Sequence, residues 1–143
     1  MKNKGKILAI DFGDNNVGLA SCDEDRQMVF VKGCITDYKS LDNLFEQILQ
    51  VCEEESIKEV VFGIPHGVDG EETDQTERLR KFGKQLSHFL GEKYRVILKD
   101  ESFSSFEAQN LMREMNDPDS KKKYSDHEMA AKIILERHLK KTY

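Results

Sequence analysis

The feature that most constrains this chain is a four-residue apolar run that stops on an acid. Ile7-Leu8-Ala9-Ile10 leads straight into Asp11, and Gly13 and Gly18 then bracket the polar stretch Asp14-Asn15-Asn16. A run with no polar face predicts a strand covered on both sides, at the middle of a sheet. A carboxylate at the end of such a strand is costly to bury unless a cation or hydrogen-bond donors meet it. The sheet therefore needs cover on both faces and a polar site at the end of its central strand.

The rest of the chain supplies that cover. Val17–Ser21 and Val29–Cys34 predict two further strands after short polar turns, as in an antiparallel meander. From Ser40 the apolar period lengthens, and Leu41, Leu44, Phe45, Ile48 and Val51 make one face of a helix to about Glu55. The run Glu59-Val60-Val61-Phe62-Gly63-Ile64 is a second buried strand, closed by Pro65. Asp74 with Glu77 is a capping-box pattern for a helix whose apolar face is Leu79, Phe82, Leu86, Phe89 and Leu90. Arg95–Glu101 is a strand ending in acids. Ser104 with Glu107 caps a helix to about Met115, and Ser125 with Glu128 caps the last one, to about Leu139. The predicted order is β-β-β-α-β-α-β-α-α, a mixed α/β sheet of five strands with helices on both faces, in one domain spanning residues 1–143.

Charge and cysteine content narrow the function classes. Net charge is −5, which argues against a general nucleic-acid coat protein. The charge is uneven: residues 119–143 hold seven Lys or Arg against four acids, +3, which leaves −8 for residues 1–118. A basic end on an acidic body offers a local phosphate-binding patch. Cys22, Cys34 and Cys52 show no metal-knuckle spacing and read as reduced thiols. No run is long and apolar enough to span a membrane, and the start has no secretory signal, so a cytoplasmic protein is expected.

Three acids fall where a site would be. Asp11 ends the first strand and Glu101 the last, and ligands of α/β sheets bind beyond such strand ends. Asp126 opens the final helix and lies at offsets of four, seven and eight from Ala130, Ile133 and Ile134, which predicts it on the face toward the sheet. Converging carboxylates repel unless a cation neutralises them, and oxygen donors suit Mg²⁺ or Mn²⁺. Such ions support hydrolysis of a phosphodiester by water. His66, His88, His127 and His138 are read as surface or core residues with no catalytic partner.

The segments "AIDFGDNNVGLA", "VVFGIPHGVDGEETDQTERLRKFGKQL", "DESFSSFEAQNLMRE" and "SDHEMAAKIILE" resemble, in order, the signature segments of the YqgF family. That family is a bacterial branch of the ribonuclease H-like fold, related to RuvC-type Holliday-junction resolvases. The resemblance covers residues 6–139. It implies a metal-dependent nuclease that matures the 5′ end of small-subunit (16S) ribosomal RNA precursor, acting as a monomer or homodimer on nucleic acid. The alternatives are a resolvase acting on branched DNA and a catalytically weak nucleic-acid-binding protein that keeps the fold. By the same resemblance Asp11, Glu101 and Asp126 are the catalytic, metal-binding acids, Gly13 and Gly18 belong to the first hairpin and are expected to bind substrate, and Lys121, Lys122 and Lys123 form a basic loop that holds substrate. Two positions depart from the family pattern: Asp14-Asn15-Asn16 replaces a loop that usually carries a basic residue, and Ser102 stands where arginine is usual. Actin-like phosphotransferases also open with strand, acid and glycine hairpin. They need two such domains, and Leu19-Ala20 follows Gly18 where a phosphate loop needs Lys and Ser or Thr.

Overall fold

The computed structural model describes residues 4–66, 70–101 and 124–141, without the side chain of Lys141. Strands β1 (Lys6–Phe12), β2 (Val17–Cys22) and β3 (Val29–Ile35) come first, followed by helix α1 (Leu41–Glu54), strand β4 (Ile57–Pro65), helix α2 (Asp74–Leu90), strand β5 (Arg95–Glu101) and helix α3 (Asp126–Lys141). The five strands form one sheet in the order β3-β2-β1-β4-β5. The first three make the expected antiparallel meander, and β4 and β5 add in parallel beyond β1. The helix expected over 104–115 and the loop carrying Lys121, Lys122 and Lys123 lie outside the described residues.

The apolar run does sit at the centre, and Ile7, Leu8, Ala9 and Ile10 are fully buried. Alternation along the strands sorts their side chains between two layers. Leu8, Ile10, Phe12, Val17, Leu19, Val60, Phe62 and Ile64 pack beneath α1 and α2 with Leu44, Phe45, Ile48, Leu79 and Leu86. Ile7, Ala9, Ala20 and Val61 face the other way and are covered by Ala131, Ile134, Leu135 and Leu139 of α3. At the β3 edge the register slips between Leu19 and Ala20, where Gly33 takes φ 124°, a bulge conformation that strains any residue with a Cβ.

The helix starts hold the site end of the sheet together. Ser40 caps α1 by accepting from the backbone N–H of Asn43 at 3.1 Å. Helix α2 begins one residue earlier than the Asp74–Glu77 pattern predicts: Thr73 is the cap, and its capping-box partner is Thr76. Thr76 wins because its short side chain can be fully buried and donate from Oγ1 to the carbonyl of Pro65 at 2.6 Å, which a glutamate one position on cannot do. The start of α2 is thereby tied to the end of β4. Phe89, expected on the buried face of α2, is 38% exposed, and Gly83 instead admits Leu98 of β5 against the helix.

Candidate active site

Asp11 and Glu101 end β1 and β5, and strand alternation directs both toward the α3 layer, in line with Ile7, Ala9 and Ile97. Parallel pairing through β4 keeps those strand ends at one edge: Ile10 pairs with Phe62, Phe62 with Leu98, and Pro65 with Glu101. The two acids therefore face the same side of the same sheet end, as expected from their positions in the chain.

Helix α3 brings a basic side chain to each of them. His127 Nδ1 lies 2.5 Å from Asp11 Oδ2, and Arg137 Nη1 lies 3.5 Å from Glu101 Oε2. The Glu101 side chain is 6% exposed, so its charge is withdrawn from water and meets the guanidinium. Burial pushes the Asp11 carboxyl up from its ordinary range, and His127 opposes that shift. The hydrogen bond to Asp11 raises the His127 imidazole in turn, reinforced by the charges of Asp126 and Asp14. The pair thus holds one proton more firmly than either group would alone.

His127 is the residue that sequence reasoning missed. Asp126 opens α3 as expected, but its own side chain is exposed, and the next residue turns inward. The helix phase explains this: Ala131, Ile134 and Leu135 are buried, and they lie four, seven and eight residues after His127. Ala130, placed on the same stripe by the sequence pattern, is only half-buried. The stripe was legible; its phase was off by one residue. Ser125 and Glu128 fix where α3 starts through the predicted capping box, with Glu128 N–H donating to Ser125 Oγ at 3.2 Å and Ser125 N–H to Glu128 Oε1 at 3.0 Å.

Gly13 and Gly18 make room for this approach. A Cβ on Gly18 would sit 2.1 Å from the carbonyl oxygen of His127, and one on Gly13 would sit 2.3 Å from His127 Nε2. Their structural place is the seat of α3 on the β1–β2 hairpin. Beside β5 a second polar group closes the edge: His66 Nε2 lies 3.0 Å from Asp100 Oδ1, and Arg80 bridges Asp100 and Glu72. The His66 contact, more than Arg80, holds the Asp100 carboxyl below the usual range.

Among the described residues, no three His, Cys, Asp or Glu side chains are gathered as a metal-binding cluster. The donor chemistry nevertheless fits a hard divalent cation: two carboxylates face one side of the sheet end, with Asp126 at the adjoining helix start. In the arrangement described, His127 and Arg137 are the partners of Asp11 and Glu101.

A five-stranded mixed sheet in this order, with α1 and α2 on one face and α3 on the other, is a ribonuclease H-like fold. Solved structures agree: Thermus thermophilus RuvC in complex with Holliday junction substrate covers 96% of both chains at 9% identity, with a TM-score of 0.58. The human cytomegalovirus terminase nuclease domain, Mn soaked, covers 85% of this chain and 66% of its own at 11% identity and a TM-score of 0.54. The family model described as RuvX, Holliday junction resolvase, matches residues 5–141. Curated relatives named "Putative pre-16S rRNA nuclease" match end to end. That of Maridesulfovibrio salexigens is 35% identical over 94% of this chain and 97% of its own, and that of Malacoplasma penetrans 34% over 94% and 93%. The chain belongs to the RuvX family.

Proposed function

We propose that this protein is a Mg²⁺- or Mn²⁺-dependent nuclease that hydrolyses phosphodiester bonds in maturing the 5′ end of 16S ribosomal RNA precursor. The observation that carries the reading is the pair of strand-end carboxylates, Asp11 and Glu101, on one face of a ribonuclease H-like sheet. The names of relatives matched over nearly their whole length support the RNA substrate. Among the described residues no helix is long and apolar enough to cross a membrane, and a cytoplasmic setting suits an RNA substrate.

Asp11 and Glu101 would hold the cation, and Asp126, whose side chain is exposed at the start of α3, would have to turn toward them to join the set. When bound it supplies Lewis-acid polarisation of the phosphodiester and makes the attacking water more acidic. The chain's own residues do the rest. His127 orients the Asp11 carboxylate and holds a proton at Nδ1. Arg137 meets the buried Glu101 side chain at 3.5 Å and gives it a partner there. Lys121, Lys122 and Lys123 are assigned to the substrate backbone on sequence grounds, as a basic run next to the start of α3.

The family description and the RuvC likeness support a second reading, a resolvase acting on branched DNA. Labelled ribosomal RNA precursor, linear DNA and a four-way junction, each with Mg²⁺, Mn²⁺ or chelator, separate the two. Metal-dependent cutting of the RNA alone supports the first reading, and cutting of the junction alone replaces it with the second. Binding without cutting in either metal leaves a nucleic-acid-binding protein.

A further inference from the structure

On the other side of the β1–β2 hairpin from Asp11 lies a cleft of about 210 Å³ whose walls include Phe12, Tyr38, Lys39, Arg78 and Phe82. Arg78 of α2 is fixed in it. Its guanidinium carbon lies 5.2 Å from the centroid of Phe82 and 5.8 Å from that of Phe12, two rings that themselves pack edge to face at 5.1 Å. Its Nη2 reaches Asp14 Oδ1 at 2.8 Å, and Nη1 reaches Gln75 Oε1 at 3.1 Å. Tyr38 closes the rim by donating its hydroxyl to the carbonyl of Asp14 at 2.9 Å.

Stability alone does not account for this arrangement. Arg78 and Asp14 are 44% and 71% exposed, and an ion pair that open to water contributes little to folding. The contact is also readily exchanged. A guanidinium stacked on aromatic faces and held in one orientation is prepared to receive a second oxyanion through its fork of N–H donors. The location matters as well. Phe12 and Asp14 stand one and three residues after Asp11 in the same hairpin, and the Asp14 charge is felt at His127. The protein's body is acidic, so a polyanion needs local cations at the point where it crosses the sheet end.

We propose that this cleft is a subsite for one unpaired nucleotide flanking the scissile phosphodiester. Arg78 receives its phosphate in place of Asp14, Lys39 adds charge at the rim, and the half-buried ring of Tyr38 takes its base. The inference rests on the nuclease reading above and narrows the substrate to one with a single-stranded segment beside the cut.

The test is a fluorescence-anisotropy titration of a labelled single-stranded RNA 12-mer in chelator, over a range of salt. Wild type, Arg78→Ala, Arg78→Lys, Asp14→Asn and the double variant are compared, with melting curves to confirm folding. Arg78→Ala should bind roughly tenfold or more weakly, the scale of a lost charge-assisted hydrogen bond, and flatten the log–log salt slope by about 0.7. Arg78→Lys should keep the slope and lose affinity, because it keeps the charge without the fork. Asp14→Asn should tighten binding, and that gain should disappear in the double variant. If Arg78→Ala binds like wild type, or the Asp14→Asn gain survives without Arg78, the arginine only pins the hairpin and the inference fails. Should Arg78→Ala fail to fold, the Arg78→Lys slope and the Asp14→Asn gain decide in its place. A wild type that cuts duplex or junction but binds no single strand overturns the subsite and leaves the nuclease reading standing. If it neither binds nor cuts any nucleic acid, the nuclease reading falls, and the subsite with it.

Discussion

The two faces of the sheet are built on opposite principles. Beneath α1 and α2 the filling is bulk: Leu8, Ile10, Phe12, Phe62 and Ile64 meet Leu44, Phe45, Ile48 and Leu86. Beneath α3 small residues, Ala9, Gly18, Ala20 and Gly63, alternate on the sheet with Ile7 and Val61, and the bulk comes from Ile134, Leu135 and Leu139 of the helix. The bulky face makes the core. The small-residue face lets one helix lie close enough for His127 to reach Asp11, and Arg137 of the same helix meets Glu101. Stability and site are thus separated across a sheet five strands wide, and substitutions should reveal the split by their sign.

The largest stability effect should come from shrinking the bulky face. Leu8→Ala or Ile48→Ala should cost about 2–5 kcal/mol in urea unfolding, from lost burial and a residual cavity. Cleavage by the folded fraction should persist, and loss of cleavage without loss of stability would break the comparison. Next comes enlargement of the small face. Gly18→Ala pushes a Cβ onto the His127 backbone, which cannot turn aside, so about 1–3 kcal/mol should be lost. Cleavage should fall further than stability, because the start of α3 is displaced from Asp11. A fully active Gly18→Ala would mean that the helix seat is not needed.

Gly63→Ala sharpens the same point at smaller cost. Its Cβ would press on the Ile134 side chain, 2.4 Å from Cδ1 and 3.3 Å from Cγ1, and the terminal methyl can rotate away. A loss of about 0.5–1.5 kcal/mol is expected, the cost of moving one side chain off its preferred rotamer. A loss as large as that of Gly18→Ala would mean the helix is rigid along its length.

The smallest effect is one of pH. His127 is raised above its ordinary value of 6.5, first by its hydrogen bond to Asp11, and burial raises Asp11 as well. Both groups bind their proton more tightly folded than unfolded. The His127 contribution to stability is therefore full below pH 6.5 and declines as pH rises through the folded His127 value, whereas that of Asp11 is full only below pH 3.8 and declines as pH rises through its own raised value. In chelator the melting temperature should fall over that interval, and Asp11→Asn should flatten the fall. An identical slope in the variant would show that the contact does not form in solution.

Much of this was legible in the sequence because burial leaves a period. The central strand, the meander and the faces of α1 and α2 followed from apolar spacing alone, and Asp11 and Glu101 followed from where strands end. What was not legible depends on phase and on contacts between distant elements. A helix that opens with Asp126-His127 offers either side chain to the sheet, and only packing on Gly13 and Gly18 selects the histidine. The link between Arg78 and Asp14 joins positions far apart in the chain, and each alone resembles an ordinary surface charge. The cap of α2 fell at Thr73 because Thr76 is held by Pro65 across the sheet, a tertiary contact with no local signal.

The central claim is that Asp11, at the end of the buried strand, is a residue of a metal-dependent nuclease. Its most direct measurement is cleavage of labelled 16S ribosomal RNA precursor by wild type and Asp11→Asn, side by side in Mg²⁺, Mn²⁺ and chelator, with a melting curve for each protein. Wild type should cut near the 5′ end with a divalent cation and not in chelator. Asp11→Asn should fold and cut in neither metal. Wild-type cleavage by Asp11→Asn under the same conditions would contradict the account.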